Sequence, residues 1–162
     1  MKTLVLTASL LSAAGTPPMA PPVTTEQLQT LDGTWRARLQ DTWTRKDGER
    51  WVSLQLETDS DRNFGFSIPM EELEGLGARG ERWTASDVRF NVRRDAGTVD
   101  FQGSFSDGRG SGTWRFVPNA EFVSAMRNTY PDLSSDQVFR LAIHDVSRSF
   151  IAAMSQEGYV RP

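Results

Sequence analysis

The fold is decided by residues 87–118, DVRFNVRRDAGTVDFQGSFSDGRGSGTWRFVP. Apolar and polar residues alternate in three runs, and Asp95-Ala96-Gly97 and Asp107-Gly108 separate these runs. A period of two predicts strands with one buried face, and Asp/Gly turns predict hairpins. The stretch therefore predicts a three-stranded antiparallel meander, with the buried side chains Val88, Phe90, Val92, Val99, Phe101, Phe105, Trp114 and Phe116.

The same alternation continues upstream of the meander. Three further runs each place apolar residues at every second position, and a brief helix over residues 70–76 is predicted after Pro69. We expect an α+β fold in which about six antiparallel strands form a half-barrel or small barrel. The expected buried positions of the upstream strands are Trp35, Ala37 and Leu39, then Val52, Leu54 and Leu56, then Phe64, Phe66 and Ile68.

Three short helices are predicted after the sheet. The pattern of residues 119–130 returns at 147–159, with an N-cap residue, an aromatic residue three positions later and an apolar stripe at helical spacing. Between the two copies, Ser134-Ser135-Asp136-Gln137 matches a capping box. The domain organisation is thus a β-domain over residues 25–118 and a helical appendage over residues 119–162.

The N-terminus has the pattern of an export signal. Lys2 precedes an apolar run that ends in Ser12-Ala13-Ala14, which predicts a signal peptide over residues 1–14 and cleavage after Ala14, with Ala20 as a second candidate. Residues 15–24 are a Pro/Thr-rich tether. We expect a periplasmic or secreted protein with no membrane span after signal removal. The net charge of −3 argues against a nucleic-acid partner.

Few residues are suited to catalysis or metal binding. The chain has no cysteine, and His144 is the single histidine, so a catalytic triad or a zinc site is not expected. Asp59, Asp61 and Asn63 resemble the start of a calcium loop, but Met70 stands where the bidentate acid belongs, which favours a plain hairpin turn over calcium. We predict no enzyme activity and no cofactor.

The start of the first strand leaves two interpretations open. Gly33-Thr34-Trp35 resembles the Gly-x-Trp entry of lipocalin-like barrels, which implies a small carrier of an apolar ligand. The bulky aromatic residues of the predicted core favour a filled interior instead. The candidate contacts for a ligand or partner are Trp35, Trp43, Trp51 and His144.

The second half of the chain resembles a known bacterial module. Its motifs are Asp95-Ala96-Gly97-Thr98, Phe101-x-Gly103-x-Phe105, Gly108-x-Gly110-x-Gly112, Phe116-x-Pro118 and Leu141-x-Ile143-His144-x-Val146-Ser147-x-x-Phe150-Ile151. They resemble the periplasm-facing C-terminal extensions of membrane metallopeptidases of the beta-lactam-sensor type. The His-Glu-x-x-His motif of the peptidase is missing from this chain.

This resemblance implies an accessory or sensing role without inherited catalysis. We therefore expect a non-catalytic extracytoplasmic module of the bacterial cell envelope that binds a partner or modulates a signal. The expected partner is another envelope protein or a membrane-bound sensor or peptidase. The carrier of an apolar ligand is the alternative.

Overall fold

The computed structural model describes residues 28–40, 50–58, 62–77 and 82–158. The predicted signal peptide and tether, together with Trp43, Asp59 and Asp61, lie outside these residues. The strands are β1 (Leu31–Gln40), β2 (Trp51–Thr58), β3 (Asn63–Pro69), β4 (Ala85–Arg94), β5 (Gly97–Ser106) and β6 (Arg109–Pro118). The helices are α1 (Ala120–Arg127), α2 (Ser135–Ile143) and α3 (Arg148–Gln156).

The six strands form one antiparallel sheet in the order β3-β2-β1-β6-β5-β4. Each half of the sheet is a three-stranded meander, and the pairing of β1 with β6 joins the halves. The sheet therefore corresponds to a six-stranded ring that is open between β3 and β4. The predicted fold class, an α+β fold with about six antiparallel strands followed by three helices, is confirmed, and of the two predicted forms of the sheet the closed barrel is not the one that forms.

Residues 70–77, the described first part of the connection from β3 to β4, cross the open side of the sheet. Met70, Leu73 and Leu76 are buried along it, so it closes part of the gap with apolar side chains. The helix predicted over residues 70–76 is wrong, because only a single 3-10 turn forms at Met70–Glu72. Leu73 is extended there, and Glu74 instead pairs with Asn91 at the free edge of β4.

Trp35 fills the interior on the side of β4, β5 and β6. Its ring centroid lies 5.4 Å from Phe90, 6.1 Å from Phe101 and 5.6 Å from Phe105. In a flat sheet β1 and β4, which are three strand spacings apart, would be separated by about 14 Å. Because the rings of Trp35 and Phe90 touch, the sheet must curl around the indole.

Phe139 of α2 fills the interior on the other side. Its ring stacks on Trp114 at 4.9 Å, and it also contacts Phe116 at 5.2 Å and Phe64 at 5.0 Å. These contacts reach both β6 and the edge strand β3. Helix α2 is thus part of the same hydrophobic core as the sheet, and its predicted capping box at Ser134 and Gln137 is present.

The first prediction concerns the space that Trp35 occupies. A Cβ atom at Gly110 would lie 2.6 Å from ring atoms of both Trp35 and Phe105. Gly110→Ala should therefore lower the free energy of unfolding by about 1–3 kcal/mol, measured from urea denaturation midpoints. The matched control is Gly65→Ala in β3, where a Cβ meets nothing within 4 Å and the change should stay within about 0.5 kcal/mol. Equal midpoints for the two variants would contradict this packing.

Candidate functional site: the polar face of the sheet

The side chains that alternate with the core residues form a second, exposed face, here called the polar face. Hydroxyl, amide and charged groups cover it, and the strand register arranges them in rows across the sheet. One row runs Asp32–Arg115–Asp100, and another runs Ser53–Arg38–Arg109. Carboxylates and guanidinium groups thus alternate in the first row, whereas the second holds only cations and a hydroxyl.

A groove on the polar face has a volume of about 960 Å³, and we call it the charged groove. Arg115 faces Asp32 on one neighbouring strand and Asp100 on the other. Among the described residues, Arg115 forms no ion pair with either carboxylate. All three charges therefore remain available to a ligand. The polar lining residues include Asp32, Thr34, Glu74, Asp100, Gln102 and Arg115.

The connection between β3 and β4 forms one wall of the charged groove. The backbone N–H of Glu74 donates to the carbonyl of Asn91 at 3.0 Å, and the N–H of Asn91 donates to the carbonyl of Glu74 at 2.9 Å. Gly75 has a φ of +92°, and a Cβ there would lie 2.8 Å from the carbonyl oxygen of Arg89. Glycine is therefore required for this close approach, which fixes Glu74 beside the sheet.

The sequence-predicted contact residues are dispersed. Trp35 is only 1% exposed, and its indole N–H donates to the carbonyl of Gln102 at 3.1 Å. Trp35 therefore belongs to the hydrophobic core. Trp51 is half-buried at the start of β2, and Trp43 lies outside the described residues. Neither Trp35 nor Trp51 lines the charged groove.

His144 ends α2 and has an exposed side chain. Its backbone N–H bonds to the last turn of the helix, but its imidazole makes no hydrogen bond within the described parts of the chain. The adjacent carboxylate of Asp145 lies 3.4 Å from Nε of Arg94. Asp145 therefore interacts with β4, which leaves the imidazole without an orienting acid. Across the described ranges, no three His, Cys, Asp or Glu side chains converge on a metal position.

Sequence reasoning missed the residues of the charged groove. Alternation places Asp32, Asp100 and Arg115 on the polar face, but it does not reveal that β1 lies beside β6. Those strands are far apart in the chain, so their residues become neighbours only when the two meanders pair. The one available signal was the polar alternation itself.

A bidentate ion pair fixes the start of α3. Arg148 donates from Nη2 to Oδ1 of Asp95 at 2.8 Å, and its backbone N–H donates to Oδ2 at 2.8 Å. The side-chain hydrogen bonds from Arg148, and then its backbone N–H, hold the pKa of Asp95 below the ordinary value. Beyond this anchor α3 buries no residue, and Phe150 is 52% exposed.

Comparisons with protein-family models, with curated proteins and with solved structures found no match to this chain. Within the described residues, no helix has the length and apolar character needed to cross a membrane.

The second prediction is a pH dependence at the Asp95–Arg148 contact. Because the native pKa of Asp95 is lowered, the contact stabilises the fold at neutral pH and loses that effect as the pH falls through the native pKa. The difference in free energy of unfolding between the native sequence and Asp95→Asn should therefore shrink from about pH 5 to about pH 2. Arg148→Ala should remove the same pH-dependent contribution. If the difference in free energy of unfolding between the native sequence and Asp95→Asn stayed constant on acidification, the prediction would be refuted.

Proposed function

We propose that this protein is a non-catalytic binding module of the bacterial cell envelope, and that its partner occupies the charged groove. The observation that carries the proposal is the row Asp32–Arg115–Asp100, whose charges face one another in register without forming ion pairs among themselves. Gln102 and Thr34 also line the groove, and their side chains supply further hydrogen-bond donors and acceptors beside the charged row.

The favoured occupant is a polar segment of another envelope protein. Such a segment presents N–H and C=O groups together with side chains of both charges, which match the mixed donors, acceptors and charges of the groove. A small apolar ligand would leave these groups without partners, at a cost in free energy. Envelope location is expected from the N-terminal sequence, and a partner-binding role agrees with the resemblance to the extensions of membrane sensor peptidases.

The alternative role, a carrier of an apolar ligand, has less support. A carrier needs an apolar cavity inside the sheet. In the described part of the chain, Trp35, Phe90, Phe101 and Phe105 contact one another where such a cavity would lie. Catalysis also has little support, because the single histidine lies at the surface without an orienting carboxylate.

The third prediction tests the charged groove directly. A photo-crosslinking amino acid at Gln102, in the groove, should give an adduct of one defined mass in the envelope fraction of the cells that make the protein. The same photo-crosslinking group at Ser67 should give no such adduct, because Ser67 is exposed on β3 and lies outside the lining of the charged groove. Arg115→Ala should lower the yield at Gln102 by about fivefold to tenfold, since loss of one central charged contact costs about 1 kcal/mol or more.

Arg109→Ala is the matched control for Arg115→Ala. It removes the same side chain from the same face of β6, six positions away and outside the lining of the charged groove. The yield at Gln102 should remain unchanged in this variant. Equal adducts at Gln102 and Ser67, no adduct at Gln102, or equal losses in both arginine variants would each contradict the proposal.

A further inference from the structure

A second groove of about 520 Å³ lies on the polar face, and we call it the arginine groove. The strands β1, β2 and β6 form it, and its lining includes Arg36, Arg38, Ser53, Gln55, Arg109 and Ser111. Every polar side chain in this set is either cationic or neutral. The proposed partner site shares no lining residue with this groove, so a separate ligand is considered for it.

The strand register brings the three arginines together. Arg38 lies directly opposite Arg109 on β6, and such residues have Cβ atoms about 4.5–5.5 Å apart. Arg36 is two positions away on the same face of β1, at a distance of about 7 Å. Ser111 and Gln55 face Arg36 from the two sides, and Ser53 faces Arg38. The result is a triangle of three arginine positions on one face of the sheet, with two flanking serines.

The charge of this triangle is not neutralised within the described residues. Among the described residues, no ion pair involves Arg36, Arg38 or Arg109, whereas Arg93 pairs with Glu74 at 3.0 Å. Glu57 lies two positions beyond Gln55 on β2, and Asp107 lies in the turn two positions before Arg109, but neither carboxylate forms an ion pair with the three arginines. Like charges directly opposite each other destabilise a sheet. Within the described residues, a local excess of three positive charges thus persists at this groove, although the net charge of the chain is −3.

We propose that the arginine groove binds a phosphate group. A phosphate ester carries up to two negative charges and three acceptor oxygens, which suit three guanidinium groups. Arginine donates two parallel hydrogen bonds to such oxygens, and the hydroxyls of Ser53 and Ser111 add further donors. A carboxylate ligand would neutralise only one of the three charges. A nucleic acid fits poorly, because Asp32, Asp100 and Glu57 on the same face would repel a long polyanion.

The test is a titration of the full chain with inorganic phosphate at low ionic strength, followed by backbone amide NMR. We expect saturable shifts at residues 36–38, 53 and 109–111, and no such shifts with sodium chloride of equal ionic strength. Arg109→Ala should weaken phosphate binding by at least about tenfold. Arg38→Lys should weaken it less, because lysine keeps the charge but loses the bidentate geometry.

Arg115→Ala, outside the arginine groove, should leave phosphate binding unchanged. A second arm identifies the source of the phosphate. Sedimentation with phosphatidylcholine vesicles that contain phosphatidic acid, a phosphomonoester lipid, but not with pure phosphatidylcholine vesicles, lost in Arg109→Ala, would assign it to a lipid headgroup. Phosphate binding without sedimentation would assign it to a soluble phosphate ester. The proposal is overturned if phosphate gives no saturable shift, if chloride gives equal shifts, or if Arg109→Ala binds as tightly as the native sequence.

Discussion

The packing of the Trp35 indole into the space left by glycine is the constraint on which the rest of the structure depends. A side chain at Gly110 of β6 would overlap the indole of Trp35 on β1, so the absence of a side chain at Gly110 makes room for the indole. The indole also donates a hydrogen bond to the carbonyl of Gln102, which ties β1 to β5. With one central side chain contacting Phe90 of β4, the sheet curls, and its apolar face becomes a filled interior.

Because the interior is filled, a ligand or partner must bind at the surface of the protein. The second aromatic group, Phe139, completes the core from α2 and stacks on Trp114. With the described apolar face covered in this way, the broad surface that remains is the polar face. Its register separates mixed charges around Arg115 from cations around Arg38 and Arg109. The two proposed sites therefore depend on the same strand pairing but on different residues.

Much of the fold follows from the period of two, because a half-buried strand must alternate. The register of Phe101 and Trp114 was predicted correctly, and both are buried. Alternation does not predict how the two meanders pair, since β1 and β6 are far apart in the chain and no local pattern indicates their contact. Phe64 and Phe66 are less buried than expected because β3 is an edge strand. The candidate sites were hidden for the same reason, because Asp32 meets Arg115, and Arg38 meets Arg109, only across β1 and β6.

The helical repeat shows a second limit of sequence reasoning. Phe122 of α1 is fully buried, whereas Phe150, at the equivalent position of α3, is 52% exposed. The two stripes are nearly the same in sequence, so local pattern alone cannot distinguish them. Helix α1 follows β6 directly, and Asn119 bonds to Ala96 at the end of the sheet. Helix α3 follows α2, whose Phe139 occupies the core beside Trp114. The main contact of α3 with the sheet domain is instead the hydrogen bonding of Arg148 to Asp95.

The most direct test of this account is a titration of the full chain with benzene, followed by methyl NMR. Benzene is neutral and apolar, and it enters protein cavities that are empty and lined by apolar side chains. If aromatic side chains fill the interior, the methyl signals of Val99, Leu54 and Leu56 should not shift up to the solubility limit of benzene. Trp35→Ala, which removes the central ring, should show saturable shifts and serves as the positive control. Saturable shifts in the native protein would contradict a filled interior and favour the carrier.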